Sequence, residues 1–537
     1  MGSSSESVPL KNVGGMLGMG GVVVLKFLRQ LLEELRPTPD RLGGTMRIVS
    51  ACLLIWIVVL TFRNPMADLG VLMVFVFLQR NKMMTRYVAV LAIVSLIFSS
   101  LWIFGIAYLS WNINWLRVLL WGGMFWINFY FMSRLPKVNL IFMLPIIFAA
   151  VFCFSFDQDP NPNYLISQLG WLWCAIGLAI MGSFLVEYFF GAPSALDLLR
   201  SQVRRGLDRI EIHCLKRAVG QLSPLELGVN TGVALDQAKM IQKFGGLTPL
   251  QRENCTRIVA ALGEIDRVAF EGDLSIPPSA SDRADWHHVS RHLDRLRKRL
   301  LQGEEWHRAQ NADGEIPNAY SFGNARLAET MKELMDAEAC LDSKGEGRGV
   351  PSKKMPEEPA PAERKDFTDA EFATRATIAT MACYMFASMT DWSGIHTCMI
   401  TCAVSAMNNV DSQVFKQRLR IIGASIGGLM GFLAMFLIPH MDNLMGVLLI
   451  MALGTGISAW VCMGRVKYSY IGVQMGVAVV MLIAQDPHAT TEFTVIRDRL
   501  VGILVGLFAM RYAFIWWTPK YIRGEEPKVP TNRLIPI

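Results

Sequence analysis

Arg497, Asp498 and Arg499 stand together at the head of an apolar run that closes on Arg511, Trp516 and Trp517, and Gln474 stands alone in the middle of another. Cations and hydrogen-bond donors in such surroundings can hold a carboxylate, which costs several kcal/mol in hydrocarbon unless it is paired. Gln474 lies between Gly472 and Gly476, where glycines could loosen a helix and free backbone amides for an anion. Interhelical hydrogen bonding explains a lone glutamine as well. In the trio, successive side chains point about 100° apart on a helix, so Arg499, aligned with Gly502 and Gly506, is the inward candidate. Arg497 is the accompanying substrate-binding candidate and Asp498 a candidate proton or gate residue, while snorkelling of the arginines toward an interface, Arg511 included, is the alternative.

Other chemistry is weaker. No G-x-x-x-x-G-K-[ST] loop occurs, which argues against ATP hydrolysis. Gly423-Ala-Ser425-Ile-Gly427 spells a nucleophile elbow, but that motif needs a preceding strand and here an apolar helix surrounds it. His287, His288 and His292 could present an i, i+4 metal pair, yet they lack a carboxylate or cysteine at ligand spacing and read as a solvated helix face. The ten cysteines show no disulfide or zinc spacing. The expectation is a protein that is not an enzyme and carries no cofactor or metal.

The elements that position these residues are set by composition: 52% hydrophobic, 18% charged, mean hydropathy +0.33. That is a polytopic membrane protein. About twelve apolar stretches suit helices: 45–62, 67–78, 87–109, 115–132, 138–155, 167–190, 372–390, 394–408, 421–438, 444–462, 470–484 and 499–517, the second and eighth being short. The net charge of +7 has no basic run interleaved with aromatics, so nucleic acid is not expected. Positive residues instead gather in alternate loops (Arg80, Lys82, Arg86; Arg134, Lys137; Lys416, Arg418, Arg420; Arg465, Lys467; Lys520, Arg523), which places both termini in the cytoplasm. Residues 1–44 read as a cytoplasmic or interfacial segment without a cleavable signal, its 22–35 stretch amphipathic.

Two halves, 45–193 and 366–519, read as copies offset by about 330 residues. Arg47, Arg86, Arg134 and Pro193 answer Arg375, Arg418, Arg465 and Pro519. With six helices each, the copies share orientation and form a parallel repeat about an axis along the membrane normal. Between them, 194–342 has apolar residues at helical spacing and reads as a cytoplasmic α-helical domain, with 343–365 a flexible linker and 520–537 a cytoplasmic tail. Aligning Arg47 with Arg375 sets Arg63 at the position of Asp391 and Asp68 at that of His396. A two-fold axis could bring each pair face to face, making a proton-sensitive outer gate with His396 as its titrating group. Screened interfacial charges are the alternative.

LRPTPDRLGGTMRIVSACLLIWIVVL, KQRLRIIGASIGGLMGFLAMFL, VQMGVAVVMLIAQDP and IRDRLVGILVGLFAMRYAFIWWTP carry a resemblance to the fusaric acid resistance and aromatic acid exporter family. Arg420-x-x-Gly423-x-x-x-Gly427, Gln474-Met-Gly476 and Arg499-x-x-Gly502-x-x-x-Gly506 are its marks. The resemblance implies a bacterial inner-membrane exporter of aromatic carboxylates or related toxic compounds, linked to the proton motive force and similar to pumps that work with a periplasmic adaptor. Homo-oligomerisation stays open. The first half departs from the pattern: YVAVLAIVS follows Arg86 without the glycine stripe. A passive organic-anion channel, or a membrane scaffold or sensor acting through the cytoplasmic domain, are the competing readings.

Overall fold

The computed structural model describes residues 39–158, 161–192, 207, 210, 214, 257–265, 280–301, 325–342, 365–390, 392–441, 443–464, 466–484 and 493–516. The amphipathic 22–35 stretch, nearly all of the linker, Asp391, Trp517 and the tail lie outside them. The described residues are helical, with no strand among them.

Six helices precede the insert: α1 Pro39–Phe62, α2 Ala67–Phe77, α3 Lys82–Ser110, α4 Asn114–Arg134, α5 Asn139–Gln158 and α6 Pro162–Phe190. The insert contributes α7 Ala280–Leu301 and α8 Ala325–Asp342. Six more follow: α9 Asp369–Met389, α10 Thr397–Ser405, α11 Val410–Leu437, α12 Leu444–Cys462, α13 Val466–Ile483 and α14 Phe493–Arg511. Local chemistry sets several starts. Thr368 and Glu371 form a reciprocal capping box on α9, while Asn409 and Asn443 accept from Ser412 and Gly446 to cap α11 and α12.

Among the described residues five helices are long and apolar enough to cross a membrane, at Arg41–Phe62, Lys82–Ser110, Pro162–Phe190, Val410–His440 and Leu444–Cys462. The second and eighth expected stretches become α2 and α10, of 11 and 9 residues. At about 1.5 Å per residue each covers about half the hydrocarbon thickness. Helix starts recur through the chain at 39 and 369, 67 and 397, 82 and 410, 114 and 444, 139 and 466, 162 and 493. Packing between the halves recurs too. α1 packs on α12 and α9 on α4; α2 packs on α13 and α10 on α5.

Glycine decides where helices meet. α11 turns Gly423, Gly427 and Gly431 onto α13, where an added Cβ at Gly427 would lie 2.6 Å from the Met475 carbonyl. Gly502 and Gly506 of α14 take the backbone of α10 in the same way. The opposite side of α11 exposes Leu429, Leu433 and Phe436, the apolar surface that a lipid-facing helix presents. In the first half Ser95 and Ser99 of α3 supply small buried side chains instead, and Ser95 donates to the Ile141 carbonyl of α5 at 3.2 Å.

α1, α2, α4, α5 and α9–α14, with 91–110 of α3 and 162–186 of α6, belong to one compact unit; a second comprises 79–90 and 187–363, with the start of α3, the end of α6, α7 and α8. In the second, Thr85 donates to the buried Glu187 carboxylate at 2.6 Å, and α7 buries Trp286, Val289 and Leu293. The solvated-face reading of its histidines needs correcting at His292, which is buried while His287 is exposed. Burial, then the charges of Arg291, Arg295 and His292, hold His288 below the usual imidazole range. Among the described residues no group of three or more His, Cys, Asp or Glu could hold a metal.

Candidate functional site

The polar centre of the membrane unit is Arg420, not a loop residue. The expected cytoplasmic loop of Lys416, Arg418 and Arg420 is corrected, because the Asn409 cap starts α11 at Val410 and carries all three on helix. Helical spacing then separates them: Arg418 is exposed, whereas Gln413, Gln417 and Arg420 share the buried face that continues into Gly423.

Arg420 gathers three helices. Its Nη1 donates to Gln474 Oε1 at 2.9 Å and to the Tyr470 hydroxyl at 3.4 Å, both on α13; its Nη2 donates to Thr401 Oγ1 at 3.1 Å on α10. Lys416 lies one turn away with its ammonium 5.5 Å from the centre of the Tyr470 ring. Among the described residues neither cation has an acidic partner. Arg420 Nε, Gln417 Nε2 and Gln413 Oε1 are buried without a hydrogen-bond partner. One buried and one half-buried positive charge, beside the unused donors Arg420 Nε and Gln417 Nε2, make a site that favours an anion.

Gln474 therefore lies at the site, but by a route other than the expected one. α13 is continuous through Val466–Ile483, and its glycines admit neighbours instead of loosening the backbone. A Cβ at Gly472 would overlap the Cys462 backbone nitrogen of α12, and one at Gly476 would overlap the Phe75 ring of α2. The Gln474 carboxamide uses its oxygen to receive Arg420.

The trio at the head of α14 divides. Arg497 pairs with Asp498 at 2.8 Å and its guanidinium stacks 5.4 Å from the Trp392 ring, while the Asp498 carboxylate lies against Gly394. Arg499 turns inward and donates to the Met481 thioether of α13, its Nε buried without a partner. Asp68 stands in the first turn of α2. Of the proposed gate, Arg63 is exposed in a left-handed backbone conformation with φ 52°. Asp391 and the His396 side chain lie outside the described residues, so neither the Arg63 nor the Asp68 pairing has a described geometry. The His396 backbone belongs to the short 3-10 turn Ser393–His396.

Arg420 is the residue that sequence reasoning passed over as a site. Its signal was present: it opens the same Arg-x-x-Gly-x-x-x-Gly pattern as Arg499.

An all-α membrane protein with a buried cationic centre between helices is what fold and site define. The description "Fusaric acid resistance protein family" matches residues 239–523, and the chain belongs to that family. It is 25% identical over 519 residues to "Multidrug resistance protein MdtO" of Escherichia coli O6:H1, covering 92% of this chain and 72% of that protein. The proteins of the same name from Escherichia coli K12 and Shigella flexneri are also 25% identical, with the same coverage. No solved structure matches the chain.

Proposed function

We propose that the protein is a secondary efflux transporter of the bacterial inner membrane that exports aromatic carboxylic acids or related toxic organic anions, driven by the proton motive force. The observation that carries this reading is the buried Arg420 with the half-buried Lys416 one turn away, neither with an acidic partner among the described residues, framed by Gln474, Thr401 and the Tyr470 ring. A carboxylate accepts the guanidinium hydrogens, and the ring supplies a flat wall for an aromatic body. Family membership and the relatives' name, multidrug resistance protein, support small-molecule efflux.

The repeated helix starts and the exchangeable packing pairs support two parallel six-helix repeats about an axis along the membrane normal. Unusually short helices at corresponding places in two repeats point to a transporter's binding site. α2 and α10 are that pair, and α10 holds Thr401. Non-helical chain packed inside the protein completes each short crossing. Both termini face the cytoplasm by the distribution of positive loops. Arg497 and Asp498 act as an interfacial anchor in this reading.

Inside-out vesicles test it. Accumulation of labelled 4-hydroxybenzoate should require a proton gradient and fall to background in Arg420→Gln. Voltage-driven current without accumulation would replace the pump by a channel, and neither signal would leave a scaffold or sensor.

A further inference from the structure

Gln413, Gln417 and Arg420 stand in a row on one face of α11, a turn apart at each step and about 10 Å from first to last. All three are buried, at 2%, 5% and 5% exposure. Each holds a buried polar atom without a hydrogen-bond partner: Gln413 Oε1, Gln417 Nε2 and Arg420 Nε. A buried hydrogen bond left unmade is costly, whereas apolar side chains of similar shape are neutral or stabilising in the same place. Packing alone therefore gives no reason for two glutamines here.

The row leads from the cationic centre toward the surface. Asp411 and Ser412, in the first turn of α11, are exposed, and Gln413 is the first buried residue of that helix. At this end lies a clasp centred on Asn408. Its Nδ2 donates to Ser133 Oγ at 2.8 Å, its Oδ1 accepts from the Phe367 amide at 3.1 Å, and its carbonyl accepts from the Asp366 amide at 2.9 Å. The Asp366 carboxylate in turn accepts from the Val410 amide at 2.8 Å. The end of α4, the lead into α9 and the start of α11 are thereby tied together.

We propose that Gln413 and Gln417 line the path by which an anion passes between Arg420 and the N-terminal end of α11, a path whose outer end the Asn408 clasp closes in this structure. This rests on the reading of Arg420 as an anion site. Gln417 Nε2 gives a carboxylate its next hydrogen bond one turn along from the guanidinium. Gln413 Oε1 accepts from a water molecule that escorts the anion. Neutral amides replace part of the hydration that the carboxylate leaves, and they hold it less strongly than a cation does, which suits transit.

Stopped-flow binding of benzoate to the purified full-length protein tests the path, with equilibrium dialysis giving Kd. Gln413→Met/Gln417→Met should keep Kd within about twofold of wild type and slow association and dissociation alike by about tenfold, the effect of a hydrogen bond lost at the barrier. Its Tm should equal or exceed that of wild type. Gln413→Asn/Gln417→Asn, which keeps the amides, should stay within about threefold of the wild-type rates. Leucine at both positions answers the same question if the methionine variant fails to fold. Asn408→Ala, which loosens the outer end, should speed both rates, and unchanged or slower rates there would overturn the closure. Wild-type rates in the methionine variant, with benzoate still bound in an Arg420-dependent way, would overturn the path and leave the Arg420 site standing. So would a Kd weakened through faster dissociation alone, which would make the glutamines ordinary contacts of that site. If wild type binds no benzoate, or Arg420→Gln binds it unchanged, the Arg420 reading falls and the path falls with it.

Discussion

At the scale of single residues, charge at the site is held by few hydrogen bonds, so each has a measurable share. Arg420 donates to Gln474, Thr401 and Tyr470, and would bind a carboxylate through charge-assisted bonds of about 1.5 to 3 kcal/mol each. Arg420→Gln should therefore weaken benzoate binding roughly ten- to a hundred-fold, read by calorimetry on the purified protein. Lys416→Gln should cost less, because the ammonium lies over the Tyr470 ring and acts as a neighbouring charge. Tyr470 tests selectivity. Tyr470→Leu should lose more affinity for 4-hydroxybenzoate than for an aliphatic carboxylate of similar size, and equal losses for both would remove the ring from the recognition of aromatics. Sequence made Gln474 and Arg499 legible because a polar side chain in an apolar run is conspicuous. Arg420 was concealed, since a cation at the edge of an apolar stretch looks like a loop charge until the Asn409 cap shows where the helix begins.

At the scale of elements, the apolar stretches anticipated every membrane-unit helix, and 444–462 falls on α12 end to end. What periodicity could not show was which glycines meet backbone. Gly472 and Gly428 look alike in sequence, yet a Cβ at Gly472 would overlap the Cys462 nitrogen while one at Gly428 meets nothing within 4 Å. Gly472→Ala should lower stability by about 1 to 3 kcal/mol through overpacking, and Gly428→Ala should leave it unchanged or raise it slightly, given alanine's helix propensity. Thermal unfolding in detergent compares them. A second element-scale test lies where α9 begins. Ser133 and Lys365 donate to Asp369 at 2.6 and 2.7 Å, and Arg134 lies 3.6 Å away, so the end of α4 is tied to the start of α9. Burial pushes the Asp369 carboxyl up, but the hydrogen bonds from Lys365 and Ser133 and the charges of Lys365 and Arg134 outweigh it and hold the group below the usual carboxylate range. A depressed carboxylate stabilises the fold fully above its unfolded pKa, about 3.9, and loses that contribution as pH falls through the lower folded value. The Tm difference between wild type and Asp369→Asn should thus be constant near neutral pH and shrink below about pH 4.

At the scale of the whole molecule, the two halves repeat in their helices but not in their chemistry. Counting back by the recurrence of helix starts, Arg420, Gln474, Thr401 and Tyr470 correspond to Ala92, Ile147, Val71 and Met143. At these positions the second half holds the charge and the first offers apolar equivalents, although the first half buries Arg41, Arg47 and Arg117 elsewhere. A cationic centre carried by the second half alone fits exchange of access by rocking one half against the other, and the junction has two matching seams, α1 on α12 and α9 on α4. Each seam offers a place to stop the motion. A Cβ at Gly456 of α12 would lie 3.7 Å from Val49 of α1, and Trp126 of α4 donates to Thr374 of α9 at 3.0 Å. Cysteine pairs at Val49 and Gly456, or at Trp126 and Thr374, should cross-link with a short bifunctional thiol reagent in a background whose accessible cysteines have been replaced. Either link should abolish 4-hydroxybenzoate export, and a reducible link should restore it on cleavage. Benzoate binding to the linked protein should persist, because Arg420, Gln474 and Thr401 all lie on helices of the second half. Export at the wild-type rate by a fully linked protein would rule out rocking at that seam and leave movement within the second half as the transport step.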